Sequence, residues 1–98
     1  MNIQAMMKQA QKLQKEMLET QEKINAMEFI GKSSIVTVKM NGKKEILDIK
    51  IDMEKLEAED IELLQDMITV AFNDAMKQID KEIDSKMGKY TQGMPGLF

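Results

Sequence analysis

The chain has 98 residues, 43% apolar and 32% charged, with a net charge of −3 and no cysteine, histidine or tryptophan. That length makes one domain. The composition excludes a disulfide framework or thiolate metal site and removes the commonest general base, the best thiol nucleophile and the usual zinc ligands, so an enzyme is not expected and only carboxylate- or lysine-based chemistry stays open. No run of about 18 apolar residues marks a membrane span. The N-terminus has no apolar signal-peptide core, and a cytoplasmic location fits.

The first predicted element is a helix from about Ile3 to about Glu28. Ile3, Met6, Ala10, Leu13, Met17, Thr20, Ile24 and Met27 recur at alternating steps of three and four. The mean step of about 3.5 residues aligns them as one narrow seam, the spacing of coiled coils. Thr20 is the only rung that is neither apolar nor small. A helix of about 25 residues is about 38 Å long, and a 98-residue chain has little else with which to cover so long a seam. Ile3, Met6, Ala10, Leu13, Met17, Ile24 and Met27 are therefore the candidate dimer-interface residues. The chain has eleven methionines, an unbranched, polarizable side chain that suits irregular cores and adaptable interfaces alike.

Gly31 and Ser33-Ser34 mark a break after the helix, and Phe29 and Ile30 begin a short first strand. Ile35 to Met40 and Lys43 to Ile51 are two β-rich runs flanking Asn41-Gly42. Asn-Gly in that setting predicts a hairpin with a two-residue type I′ turn. That turn sets Met40 opposite Lys43, Val36 opposite Leu47 and Val38 opposite Glu45. One face then carries Val36, Val38, Met40, Leu47, Ile49 and Ile51. The other is mostly polar, with Ile35 and Ile46 as exceptions.

A second long helix starts near Asp60, a candidate N-cap, and stops near Gly88. Its apolar stripe runs Ile61, Leu64, Met67, Ile68, Ala71, Phe72, Ala75, Ile79, Ile83 and Met87. This stripe is wider than the first and suits covering a sheet. Residues 1–88 form the expected domain and 89–98, with Gly93, Pro95 and Gly96, a flexible tail. The fold class is α+β: helix, three-stranded antiparallel sheet, helix. Three strands of about six residues make a patch about 14 by 20 Å, too small for two helices of about 40 Å. The helix ends must project, and a second copy on a two-fold axis is the commonest way to cover them.

The charge is unevenly placed. Residues 29–51 hold five lysines and two acids, whereas residues 52–98 hold five lysines and eleven acids. The first helix has Lys8, Lys12 and Lys15 before any acid, then Glu16, Glu19, Glu22 and Glu28. The three lysines share one face, away from the seam. This polarity opposes the helix macrodipole, and Lys8 and Lys12 repel at i, i+4. Three readings are open: a solvated face with local pairs Lys12–Glu16 and Lys15–Glu19; a phosphate contact, with Gln4, Gln9, Gln11 and Gln14 as added donors; or a device that sets helix register. All fourteen basic residues are lysine. Lysine acts as a point charge toward phosphate where arginine reads guanine, so DNA binding would be directed at the backbone and low in sequence specificity. No phosphate-binding glycine loop, metal-binding repeat or catalytic dyad is visible, and no cofactor, metal or small-molecule substrate is expected.

Several segments in order resemble the YbaB/EbfC family of bacterial nucleoid-associated proteins. They are Met7-Lys8-Gln9-Ala10-Gln11-Lys12 with Glu16-Met17, the Asn41-Gly42 hairpin with Ile49-Lys50-Ile51-Asp52, Ala71-Phe72-Asn73-Asp74-Ala75, and the ending Gly93-Met94-Pro95-Gly96-Leu97-Phe98. The resemblance implies a non-enzymatic homodimer in the cytoplasm and nucleoid. Its projecting helices would form tweezer-like arms that contact DNA, with an influence on gene expression. Carried onto this chain, the arm contact maps to Lys8, Lys12 and Lys15, with Gln4 and Gln11 beside them. This chain departs from the family in having no arginine and an acidic second helix. The expected contact is thereby confined to the first helix and the hairpin lysines Lys43 and Lys44. The competing function is a protein-interaction module that uses the Met-rich arms without DNA.

Overall fold

A computed structural model describes residues 2–91. The element order is α1 (Ile3–Ala26), β1 (Glu28–Ser33), β2 (Val36–Asn41), β3 (Ile46–Ile51), a 3₁₀ turn (Ala58–Asp60) and α2 (Ile61–Thr91). The three strands form one antiparallel sheet in the order β1-β2-β3, so the α+β class read from the sequence holds. The molecule is elongated, 71 × 21 × 14 Å, with a radius of gyration of 19.4 Å. A compact domain of this length would have a radius near 13 Å. The helix ends therefore project, as the shortage of sheet area requires.

The core lies between α2 and two of the three strands. Phe29, Val36, Val38 and Met40 pack against Ala71, Ala75 and Ile79, with Leu64, Met67, Ile68, Phe72 and Ile83 around them. Most of the predicted α2 stripe thus does the predicted work, although Ile61 at its start stays exposed. Gly31 sits inside β1 opposite Val38, not in a break after α1. A Cβ on Gly31 would lie 2.0 Å from the Ala71 carbonyl oxygen and 2.6 Å from the Ala75 nitrogen. With two alanines on the helix and no side chain at Gly31, α2 comes down onto the β1 backbone. The outer edge of β1 is also tied to α2: Gln78 Nε2 donates to the Ile30 carbonyl at 2.8 Å, and the Lys32 N–H donates to Asp74 Oδ2 at 3.1 Å.

The register of the Asn41-Gly42 hairpin differs from the one expected. The tight turn falls at Ser34-Ile35, between paired Ser33 and Val36, with Ser34 at φ 52. Between β2 and β3 a three-residue loop, Gly42 to Lys44, replaces the two-residue turn. The Asn41 N–H donates to the Glu45 carbonyl and the Lys44 N–H to the Asn41 carbonyl, both at 3.0 Å. Lys44 takes the left-handed conformation at φ 67, the usual close of a three-residue hairpin loop. A shift between Lys39 and Met40 then leaves Leu47 as an extra residue, so Val36 pairs with Ile51 and Val38 with Ile49. For these residues the displacement from the expected register is four, and an even shift keeps Ile49 and Ile51 on the face of Val36 and Val38 with new partners. Beyond the bulge the displacement is three, and Ile46, expected on the polar face, stands opposite Met40. The apolar face is only half covered. α2 contacts β1 and β2 and not β3, and all six residues of β3 are exposed.

At the ends of the helices, Asn2 caps α1, its side-chain oxygen accepting from the Gln4 N–H at 3.1 Å. Asp60 does not cap α2 directly. It closes the preceding 3₁₀ turn by accepting from the Glu57 N–H at 3.0 Å. Gly88 does not stop α2, which continues to Thr91. The tail expected from residue 89 therefore begins as helix, and residues 92–98 lie outside the described part.

Candidate nucleic-acid interface

α1 divides into a base and an arm. From Glu16 onward it has half-buried residues on one side: Glu16, Met17, Thr20, Gln21 and Asn25, with Ile24 fully buried. This base packs on α2 and reaches β2. Thr20, the weak rung of the seam, donates its hydroxyl to the Glu16 carbonyl at 2.8 Å and so leaves no unpaired polar group. Residues 2–15 are exposed on every side. This arm carries Gln4, Lys8, Gln11, Lys12 and Lys15 together with the upper seam.

Among the described residues the lysines of the arm have no ion-pair partner within 4.0 Å. The ion pairs among the described residues are Lys39–Glu28, Lys44–Asp80 and Lys55–Glu57. The local pairs Lys12–Glu16 and Lys15–Glu19 do not form, which leaves three free ammonium groups on one stretch of projecting helix. The hairpin lysines are placed differently. Lys43 is exposed at the loop tip, whereas Lys44 Nζ lies 3.1 Å from Asp80 Oδ1 on α2. The hairpin pair is therefore not equivalent, and Lys44 is engaged by its own chain.

The seam divides at the same point as the helix. Ile3, Met6, Ala10 and Leu13 are exposed, and Ile3 keeps 70% of its surface. Met17 is half-buried, Ile24 is 1% exposed and Met27 is 38% exposed. Ile24 is thus already covered by its own chain and has nothing to offer a partner. Met7 and Leu18, outside the strict seam, are exposed as well. Leu47, Ile49 and Ile51 on the uncovered half of the sheet are 39–49% exposed. The seam ladder held no sign of this second apolar surface. It could have been found by noting that one helix cannot cover three strands.

The family model for the YbaB/EbfC DNA-binding family matches residues 1–94. A protein of Enterococcus faecalis called "Nucleoid-associated protein" is 45% identical over 98% of this chain and 94% of its own length. One of Lactococcus lactis subsp. cremoris with the same name is 48% identical over 97% of this chain and 98% of its own. The crystal structure of an uncharacterized protein from Helicobacter pylori superposes with a TM-score of 0.76 at 26% identity, covering 92% of this chain and 97% of that one. With the projecting lysine arm, the half-covered sheet and a match across nearly its whole length, this chain belongs to the YbaB/EbfC DNA-binding family.

Proposed function

We propose that this protein is a nucleoid-associated, cytoplasmic DNA-binding protein that acts as a homodimer and holds duplex DNA through its backbone, with an influence on gene expression and no catalytic role. The observation that carries this reading is the arm. Lys8, Lys12 and Lys15 stand exposed and unpaired on a helix that projects beyond its own fold. Gln4 and Gln11 add neutral donors on the same stretch, and Lys43 adds a charge at the loop tip. Lys44 plays a lesser part because Asp80 holds it. Lysines acting as point charges do not distinguish base pairs. Two unrelated duplexes of about 30 base pairs therefore bind within a few-fold of each other in fluorescence anisotropy at matched salt. A preference of about a thousandfold for one sequence, within the range of specific readers, would contradict backbone-directed binding.

Self-association rests on the exposed apolar surfaces. Ile3, Met6, Ala10 and Leu13 on the arm, with Met17 and Met27 at its margins, form the proposed dimer surface on α1, and the open half of the sheet adds to it. Light scattering should report about twice the chain mass of 11.2 kDa. A mass of one chain at micromolar concentration would remove the dimer.

A second reading, an arm that binds another protein, is favoured by the exposure of Ile3, Met6, Met7 and Leu13. A pull-down that recovers the same protein partner after nuclease treatment would support it, while loss of the partner after nuclease supports binding through DNA.

A further inference from the structure

The loop between β2 and β3 touches both helices. Gly42 is buried, and a Cβ there would lie 1.8 Å from the Ile24 carbonyl oxygen, 2.4 Å from its carbon and 2.9 Å from the Asn25 nitrogen. The loop backbone therefore rests directly on the last turn of α1, with no room for a side chain between them. Two residues on, Lys44 reaches the other helix and pairs with Asp80 at 3.1 Å. Asn41 stiffens the span between these contacts. Its side-chain oxygen accepts from the N–H groups of Lys43 at 2.9 Å and Glu45 at 3.1 Å, and its amide donates to Glu45 Oε1 at 2.8 Å.

We propose that this loop is a latch that sets the direction of the α1 arm, with Gly42 as its positioning residue. The inference rests on the DNA-binding reading above. Lys8 lies sixteen residues from Ile24, about 24 Å along the helix, so a tilt of about 10° at the base moves it by about 4 Å. That exceeds the rise of about 3.4 Å between successive phosphates on one strand. An arm free to tilt must be ordered each time it binds, and that ordering opposes affinity without removing any contact. The Lys44–Asp80 pair is half exposed, and such pairs contribute little, so the close approach of Gly42 is the main element and the ion pair a guide.

The chain has no cysteine, so Gln11→Cys on the arm and Lys50→Cys on β3 take spin labels cleanly. Distances within one chain are read with the labelled protein diluted in unlabelled protein. Gly42→Ala shifts or broadens the distribution by about 3 Å, the movement of the same tilt at Gln11, which lies nearer the base than Lys8. It weakens binding to a fluorescent duplex about tenfold, the cost of ordering the freed arm. The salt dependence keeps its slope, because the same phosphates are contacted. A loss of packing alone would lower the melting temperature and leave the distances of the folded protein unchanged. A folded Gly42→Ala protein with the parent distances, or one with altered distances and the parent affinity, overturns the proposal. Should Gly42→Ala not fold, Asn41→Ala removes the three side-chain hydrogen bonds that stiffen the loop. A broadened distance distribution in that variant supports the latch, and the parent distribution overturns it. If the parent protein binds no duplex, the DNA-binding reading falls on that result alone, while the distances still decide whether the loop sets the arm.

Discussion

Replacing Lys8, Lys12 and Lys15 together with glutamate weakens duplex binding by about a hundredfold or more at about 0.1 M salt. In a dimer the change removes six cations and installs six anions on the two arms. Each lost phosphate contact also lowers the slope of log K against log salt by about 0.9. The fold is untouched, because all three side chains are exposed and unpaired. Surface substitutions of this kind each change stability by less than about 0.5 kcal/mol. The melting temperature therefore stays within a few degrees of the parent. Anisotropy and a thermal melt on the same preparation separate lost contact from lost fold. Parent affinity in the triple variant would move the DNA contact away from α1.

Gly31→Ala has the largest expected effect on stability. The added methyl would have to displace the backbone of α2 at Ala71 and Ala75, not the flexible end of a side chain. Overpacking of a tight core costs about 1–3 kcal/mol, occasionally more, and the upper end applies here because backbone must move. In a domain of this size about 3 kcal/mol lowers the melting temperature by about 12 °C or more. Gln78→Ala is a milder companion that removes one donor from the Ile30 carbonyl at the sheet edge and should cost about 1 kcal/mol. Thermal melts followed by circular dichroism at one fixed protein concentration check both. A Gly31→Ala protein as stable as the parent would mean that α2 does not seat on the β1 backbone.

Much of this fold was legible because its signals are local or periodic. The α1 seam and the α2 stripe are written in spacing, and the alternation through Val36, Val38, Met40, Ile49 and Ile51 assigned a face that an even register shift could not disturb. The two glycines were misread for one shared reason. Gly31 sits where a turn signal is expected, yet its role depends on Ala71 and Ala75, forty and more residues away. Asn41-Gly42 carries the local signature of a two-residue turn. Gly42 instead leaves space for the end of α1, and Lys44 takes the left-handed position. Glycine admits a backbone turn and a close approach alike, and sequence alone does not say which is in use. Among the candidate contact residues, spacing placed Lys8, Lys12 and Lys15 on one face of a helix. Only the fold set that stretch beyond α2, left the lysines unpaired and drew Lys44 away to Asp80.

The central claim is that the two arms grip DNA by neutralising phosphates, about six of them in a dimer. Its most direct test is the affinity for one duplex across a series of salt concentrations. The predicted result is a straight line of log K against log salt with a slope near −5. Binding that does not change with salt would contradict it.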